Sequence, residues 1–181
     1  LNTHGVVGVV LEYRLPKGLP YRPLYDAQQA IRTVRSKAKD WNIKPDRIGI
    51  IGFSAGGHLA SSAATHFDIG DANSKDPIKK TSCRPDFAIL IYPVITMNAG
   101  THKGSKKNLL GLNPDEAMVN RFSNEMQITA NTPPTFLAHA ADDRKVIPNN
   151  SKMFYDALIT NAVPAKYLKL PSGGHGLNGY K

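Results

Sequence analysis

"RIGIIGFSAGGHLA", residues 47–60, is the stretch that decides how this chain should fold. Its first half, 48–53, is apolar and rich in isoleucine, which is typical of a buried strand. Residues 55–65 are rich in alanine, which favours a helix. A glycine-rich turn joins the two. Such a turn between a strand and a helix can hold a phosphate or can present a serine side chain.

The phosphate alternative requires side chains that this turn lacks. A phosphate-binding P-loop has a glycine, four further residues, and then Gly-Lys-Ser/Thr. Gly52 and Gly57 have this spacing, but His58 and Leu59 follow them. The Gly-x-Gly-x-x-Gly pattern of dinucleotide-binding turns is also absent from this turn. The chain has no His-Glu-x-x-His metal motif either, so we expect no cofactor and no metal.

The segment Gly52-Phe53-Ser54-Ala55-Gly56 matches Gly-x-Ser-x-Gly, the pattern of a nucleophilic serine. A sharp strand-to-helix turn of this kind projects the serine hydroxyl above the sheet. We expect the two glycines to leave room where strand and helix crowd together. The backbone N–H of Ala55 can then donate to an oxyanion, assisted by the helix dipole. A tight turn with a capping serine is the alternative, but the flanking strand and helix favour the nucleophile.

A serine hydroxyl needs a base to take its proton and an acid to orient that base. In this kind of fold the chain order is Ser, then Asp or Glu, then His. Asp142 and Asp143 follow an apolar strand predicted at 135–140, and His175 follows another predicted at 167–170. If the strands form a parallel sheet, these two loops would lie at the same edge of it as Ser54. Chain order alone leaves both aspartates open as the acid.

The remaining histidines have less favourable positions for catalysis. His58 lies one turn along the predicted nucleophile helix, where packing or hydrogen bonding is the simpler role. His139 lies inside a predicted strand and is expected to be a satisfied buried group. Three others are expected in loops or at helix ends with no evident acid partner: His4, His66 and His102.

Strands and helices alternate along most of the chain, which predicts an α/β fold. The expected sheet is mostly parallel and covered by helices on both faces, with ligands at the carboxyl ends of its strands. Strands are predicted at 6–13, 48–53, 87–92, 135–140 and 167–170, and helices at 24–41, 55–65 and 150–161. The polar stretch at about 94–133 interrupts the alternation. It is expected to be a cap-like insertion within one domain, 1–181, with a short helix capped by Asn113.

Composition narrows the possible partners. The 181 residues carry a formal net charge of +9, but basic residues are dense only at 102–107, which we interpret as a solvated basic loop. Aromatic residues are not interleaved with basic ones, so nucleic-acid binding is not expected. No apolar run approaches the ~20 residues that span a bilayer. The single cysteine, Cys83, excludes an internal disulfide.

Together these stretches resemble the α/β-hydrolase superfamily, in its acetylxylan-esterase and feruloyl-esterase-like branch, which includes xylanase-like bacterial esterases. The matching segments are EYRLP at 12–16, DAQQAI at 26–31, PDRIG at 45–49, GFSAGGHLA at 52–60, YP at 92–93, PPTF at 133–136 and GGHG at 173–176.

The resemblance implies roles for the residues already singled out. Ser54 would be the nucleophile, His175 the base and Ala55 an oxyanion-hole donor. The family pattern places the acid four residues after the strand-ending histidine and three before a valine, which selects Asp143. The branch also carries a glycine-rich loop, the second oxyanion donor, upstream of the YRLP-like stretch. That loop would precede Leu1, so we expect a chain truncated at both ends.

The expected function is therefore that of a serine carboxylic-ester hydrolase. The resemblance implies short acyl substrates, acetyl above all, on a plant cell-wall polysaccharide such as xylan. A prolyl-oligopeptidase-like serine peptidase shares the fold and triad and is the alternative. A non-catalytic binding domain would not need the triad. Two residues remain open: Tyr92 lines the acyl pocket or is a buried structural residue, and Asp26 is expected to cap a helix.

Overall fold

Four parallel strands form one sheet in the computed structural model, which describes residues 2–179. The strands are β1 (Gly49–Phe53), β2 (Phe87–Ile91), β3 (Thr135–Ala140) and β4 (Ala165–Leu170), in the spatial order β1-β2-β3-β4. The carboxyl ends of all four strands therefore meet at one edge. Each of these strands was predicted from the sequence to within two residues, and the parallel α/β fold is confirmed.

Five α-helices and two short 3₁₀ turns connect the strands within the described residues. They are α1 (Tyr21–Ser36), α2 (Ser54–Thr65), α3 (Lys103–Leu110), α4 (Glu116–Arg121) and α5 (Asn149–Thr160), with 3₁₀ turns at Asn2–His4 and Asn124–Gln127. Helix α1 ends five residues earlier than the apolar spacing predicts. Over residues 2–179, no helix combines the length and apolar character that crossing a membrane requires.

Both α2 and α5 pack on the same face of the sheet. Ala60 of α2 and Phe154 of α5 belong to one buried apolar cluster with Leu90 and Leu137 of the central strands. On the opposite face, Ile51 and Phe53 of β1 remain 55% and 50% exposed. The helices of residues 2–179 therefore cover one face, whereas the sequence pattern predicted cover on both.

The apolar run 6–13 is not a strand, contrary to the prediction. It has no regular secondary structure, and no described strand pairs with it. Val7 is 57% exposed and Val10 is 96% exposed, although Leu11 and Tyr13 pack against the core. A β-branched run favours extended backbone, but only a hydrogen-bonded neighbour turns such a run into a strand.

Residues 102–107, predicted as a basic loop, instead form the cap and first turns of helix α3. The side chain of His102 accepts a hydrogen bond from the backbone N–H of Ser105 and so caps this helix. The next helix, α4, is capped by Asp115 rather than by Asn113. Its carboxylate accepts from the N–H of Met118 at 2.7 Å. A cap must stand where the chain enters the helix, and this helix begins at Glu116.

Buried hydrogen bonds attach the 94–133 segment to α2. His58 donates from Nε2 to the carbonyl of Phe122 at 2.8 Å, and Nε2 of His66 lies 3.0 Å from the carbonyl of Arg121. The amide of Asn124 donates to the hydroxyl groups of Ser61 and Ser62 at 2.7 and 3.0 Å. The segment is thus joined to the helix that begins at Ser54.

Candidate active site

Ser54 occupies a strained position at the carboxyl end of β1. It is the first residue of α2 and has φ of 52°, a left-handed conformation that is uncommon outside glycine. Phe53 before it is extended, so the backbone reverses direction within one residue. Backbone strain of this kind persists where the surroundings impose it, and it clusters at functional sites.

Glycines make this turn possible, although only one of the two that the motif indicated is sterically required. A Cβ on Gly52 would lie 2.2 Å from the carbonyl oxygen of Gly56, so this glycine allows α2 to pack against β1. A Cβ on Gly57 would lie 2.6 Å from Cβ of Pro93. A Cβ on Gly56 would meet no heavy atom within 4 Å. The expectation that Gly56 leaves steric room is therefore wrong, and Gly57 has that role.

Three side chains from separate loops form a hydrogen-bonded chain above the sheet. Nε2 of His175 lies 2.8 Å from Oγ of Ser54, and its Nδ1 lies 2.8 Å from Oδ2 of Asp143. Ser54 follows β1, Asp143 follows β3 and His175 follows β4. The side chain of His175 is 17% exposed, whereas that of Asp143 is fully buried. The arrangement can pass a proton from the serine hydroxyl to the imidazole while the carboxylate orients the ring.

The structure separates the two neighbouring aspartates. Asp143 faces His175, whereas Asp142 is exposed and its Oδ1 accepts a hydrogen bond from the N–H of Gly174 at 2.8 Å. Burial disfavours the charged form of Asp143. The bond from His175 and the backbone N–H groups of Val146 and Lys145 outweigh that effect and lower the pKa of Asp143 below its usual value. The carboxylate therefore stays ionised at neutral pH.

The turn that carries His175 depends on glycine conformations. Gly173, Gly174 and Gly176 have φ of 130°, 58° and 128°, values that side chains other than glycine rarely adopt. The N–H of Asn178 donates to the carbonyl of Gly173 at 2.9 Å and closes the turn. The backbone bond from Gly174 to Asp142 ties this turn to the loop after β3.

Tyr92 and Ala55 border the hydrogen-bonded chain. The ring of Tyr92 lies 4.7 Å from that of His175, centroid to centroid, and its backbone has φ of 38°, rare for a bulky residue. Tyr92 is only partly buried, so a purely structural role in the core does not describe it. Ala55 is the second residue of α2, where backbone N–H groups lack partners within the helix.

His139 belongs to this site, although the sequence indicated only a satisfied buried group. It is fully buried in β3, and its Nε2 lies 3.1 Å from Oδ2 of Asp143. Nδ1 lies 2.8 Å from the hydroxyl of Ser151 in α5. The spacing of four residues between His139 and Asp143 was visible in the sequence. Only the fold shows that both side chains point to the same place.

A mainly apolar cavity of about 140 Å³ runs along α2 from Ala55, the residue after Ser54. On α2 it is lined by Ala55, His58, Leu59 and Ser62. The 94–133 segment forms one wall, and the loop after Tyr13 forms another.

Asp26 holds that loop in place. Its carboxylate forms two-pronged hydrogen bonds with the guanidinium of Arg14 and also accepts the N–H of Arg14 at 2.9 Å. The expectation that Asp26 caps a helix is wrong, because α1 begins five residues earlier at Tyr21. In the part of the chain that the structure describes, no cluster of three or more His, Cys, Asp or Glu side chains could hold a metal.

Comparisons with known proteins give two similar curated enzymes. The chain is 41% identical over 157 residues to endo-1,4-beta-xylanase B of Butyrivibrio fibrisolvens, covering 86% of this chain and 24% of that protein. It is 37% identical over 181 residues to the acetylxylan esterase of Xylanibacter ruminicola, covering 97% of this chain and 35% of that protein.

A solved hydrolase structure is also similar to this chain. The crystal structure of an acetyl ester-xyloside bifunctional hydrolase from Caldicellulosiruptor lactoaceticus matches with a TM-score of 0.89 and 49% identity, covering 92% of this chain and 61% of that chain. This chain therefore spans less than two thirds of each of these proteins. The BD-FAE family model matches residues 1–158. The chain belongs to the BD-FAE family, within the α/β-hydrolase superfamily.

Proposed function

We propose that this protein is a serine carboxylic-ester hydrolase that removes short acyl groups, acetyl above all, from carbohydrate, with acetylated xylan as the polysaccharide. The observation that carries the proposal is the hydrogen-bonded chain from Asp143 through His175 to Ser54, with both bonds at 2.8 Å. The names of the acetylxylan esterase and the acetyl ester-xyloside hydrolase to which the chain is similar support the substrate class.

In the first half-reaction, Oγ of Ser54 attacks the ester carbonyl carbon while Nε2 of His175 takes the hydroxyl proton. Asp143 accepts the Nδ1–H of His175 and so keeps Nε2 free to act as the base. The negative charge that develops on the carbonyl oxygen is stabilised by the N–H of Ala55. The protonated Nε2 then donates its proton to the sugar hydroxyl oxygen as that oxygen leaves.

In the second half-reaction, water replaces the sugar. His175 takes a proton from the water, which attacks the acyl group on Ser54, and the same proton returns to Oγ as the carboxylic acid departs. Two easier steps thus replace direct hydrolysis. The strained backbone at Ser54 holds Oγ where both steps can use it.

The 94–133 segment forms one wall of the cavity that runs along α2 from Ala55. Met97, Leu109 and Phe122 of the segment line the cavity that begins at Ala55. Buried hydrogen bonds from His58 and His66 hold the segment on α2. We therefore assign it the role of a cap-like insertion that limits the size of the bound acyl group.

The test compares ester and amide substrates on the purified protein. We expect hydrolysis of p-nitrophenyl acetate, slower hydrolysis of longer p-nitrophenyl esters, and release of acetate from acetylated xylan. Dipeptidyl p-nitroanilides test the peptidase alternative. Cleavage of the anilides without acetate release would overturn the proposal, and the Ser54→Ala variant supplies the background rate.

A further inference from the structure

Two imidazole rings share one oxygen of the site carboxylate. Oδ2 of Asp143 lies 2.8 Å from Nδ1 of His175 and 3.1 Å from Nε2 of His139. The other oxygen, Oδ1, accepts the backbone N–H groups of Lys145 and Val146 at 2.9 and 3.0 Å. Oδ2 therefore interacts with two imidazole rings, that of His175 and that of the buried His139.

The surroundings of His139 determine where its proton lies. Its Nε2 lies 2.9 Å from the carbonyl oxygen of Val146, which can only accept a hydrogen bond. Nε2 must therefore carry the hydrogen, and the same N–H also faces Oδ2 of Asp143. Nδ1 is then an acceptor, and the hydroxyl of Ser151 at 2.8 Å is its donor.

Burial keeps this arrangement in one protonation state. His139 and Ser151 are both fully buried, His139 in β3 and Ser151 in α5. Burial lowers the pKa of His139, which favours the neutral ring. His139 therefore offers Asp143 a hydrogen bond from its Nε2–H.

We propose that His139, held by Ser151, is a positioning residue that fixes Oδ2 of Asp143 and draws part of its charge away from His175, and so sets the acidic limit of ester hydrolysis. The proposal depends on the proposed esterase function, because the base must be His175 for this limit to exist. Without the His139 bond, the carboxylate turns more of its charge to His175. The charged imidazole is then favoured, and the base is lost at a higher pH.

Few other ionisable groups face this oxygen. His175 is the only other titratable group within hydrogen-bond distance of Oδ2 among the described residues, and Tyr92 touches that ring from the end of β2. The charged groups on the elements around His139 and Asp143 are all exposed. They include Asp142, Arg144 and Lys145 on the same loop, Lys152 with Asp156 on α5, and Lys169 of β4, which pairs with His139 in the register.

The experiment measures pH profiles of kcat and kcat/KM for p-nitrophenyl acetate with His139→Phe, His139→Gln and Ser151→Ala. Rates are expressed per active site, counted by labelling Ser54 with a fluorophosphonate. His139→Phe should lower kcat roughly 10- to 100-fold, because a small misplacement of catalytic groups can cost up to about 10² in rate. Its acidic limb should move to higher pH by about half to one unit, the size of one net hydrogen bond.

Glutamine carries an amide N–H near the position of Nε2, so His139→Gln should recover most of the lost kcat and the position of the limb. Ser151→Ala keeps the ring but removes its donor. It should give a smaller shift in the same direction and provides the test if His139→Phe does not fold.

Three outcomes separate the possibilities. A purely structural role would lower the labelled fraction and the melting temperature of the variants but leave kcat per site and the acidic limb unchanged, which overturns the proposal. The proposal would also be overturned if the acidic limb of the pH profile stayed at its wild-type position in both His139→Phe and Ser151→Ala. A wild-type protein that labels but does not hydrolyse esters would instead refute the proposed function.

Discussion

The serine and the histidine of the candidate site are held in place by different means. Around Ser54, backbone packs on backbone: Gly52 lies against Gly56, and Gly57 lies against Pro93. Around His175 the turn is more open, and a Cβ on Gly174 would meet no heavy atom within 4 Å. There, hydrogen bonds from Gly174 to Asp142 and from His175 to Asp143 fix the position.

This difference predicts which substitutions the surroundings of Ser54 and of His175 can each tolerate. Crowding at Ser54 tolerates no added volume, whereas the turn at His175 depends on its glycine backbone conformations and on the charged partners of its hydrogen bonds. The nucleophile side should therefore respond to steric substitutions, and the histidine side to isosteric substitutions that remove charge. The predictions below test this contrast, beginning with the largest effect.

Removing the nucleophile should have the largest effect. Ser54→Ala takes away the reacting oxygen and leaves the backbone almost unchanged. The loss of a triad nucleophile typically costs on the order of 10⁶ in kcat. Turnover of p-nitrophenyl acetate measures it, with the melting temperature as the control for folding. A variant that kept a tenth of wild-type turnover would falsify the proposed role of Ser54.

The histidine side should distinguish the two aspartates. Asp143→Asn should lower kcat by roughly 10⁴, because the amide favours the wrong tautomer of His175. Asp142→Asn is the matched control, since its side chain lies on the turn and not on the ring. Its amide oxygen can still accept from Gly174, so we expect near-normal kcat. The reverse result would assign the acid to Asp142.

Stability should also depend on pH, because buried histidines on both sides of the site have lowered pKa values. Burial lowers the pKa of His58, on the nucleophile helix, to about 4. The unfolded chain binds a proton near pH 6.5, so stability should fall by about 3 kcal/mol as the pH falls from 6.5 to about 4. The lowered pKa of Asp143 acts only below pH 3.8, the usual value.

Urea unfolding at several pH values between 7 and 4 measures this effect. His58→Gln removes the titrating group but keeps a donor for the carbonyl of Phe122. We expect its stability to change less with pH than that of the wild type. A variant whose pH dependence equals the wild-type curve would show that His58 is not responsible.

Single methyl groups should give the smallest effect and test the crowding directly. Gly57→Ala places a Cβ 2.6 Å from Cβ of Pro93 and should destabilise the fold by about 1–3 kcal/mol. Gly56→Ala is the matched control one residue away. It meets open space and replaces a helical glycine, so we expect unchanged or slightly higher stability. Equal losses of unfolding free energy would contradict the steric account.

The elements that depend on interactions between residues close in sequence could be predicted. All four strands of the sheet, helix α2 and the turn at Ser54 were predicted from apolar runs, alanine content and glycine spacing. The run 6–13 has the same apolar pattern as β1 but no neighbour to pair with, so the pattern alone could not decide its state. Helix α3 was missed because its basic residues resemble a solvated loop, and its cap is the unusual His102.

The sequence by itself determined the α/β fold and the order of Ser54, an acid and His175, because strand and helix periodicity and turn chemistry are local properties. The tertiary structure decided the contacts between residues that are far apart in the sequence. It brought His175 to Ser54 across 121 positions, placed Asp143 rather than Asp142 on the ring, and moved the steric demand from Gly56 to Gly57. It also brought His139 to the carboxylate of Asp143. The partners of the His139 ring come from α5 and from the loop after β3, and only the packed fold places them there.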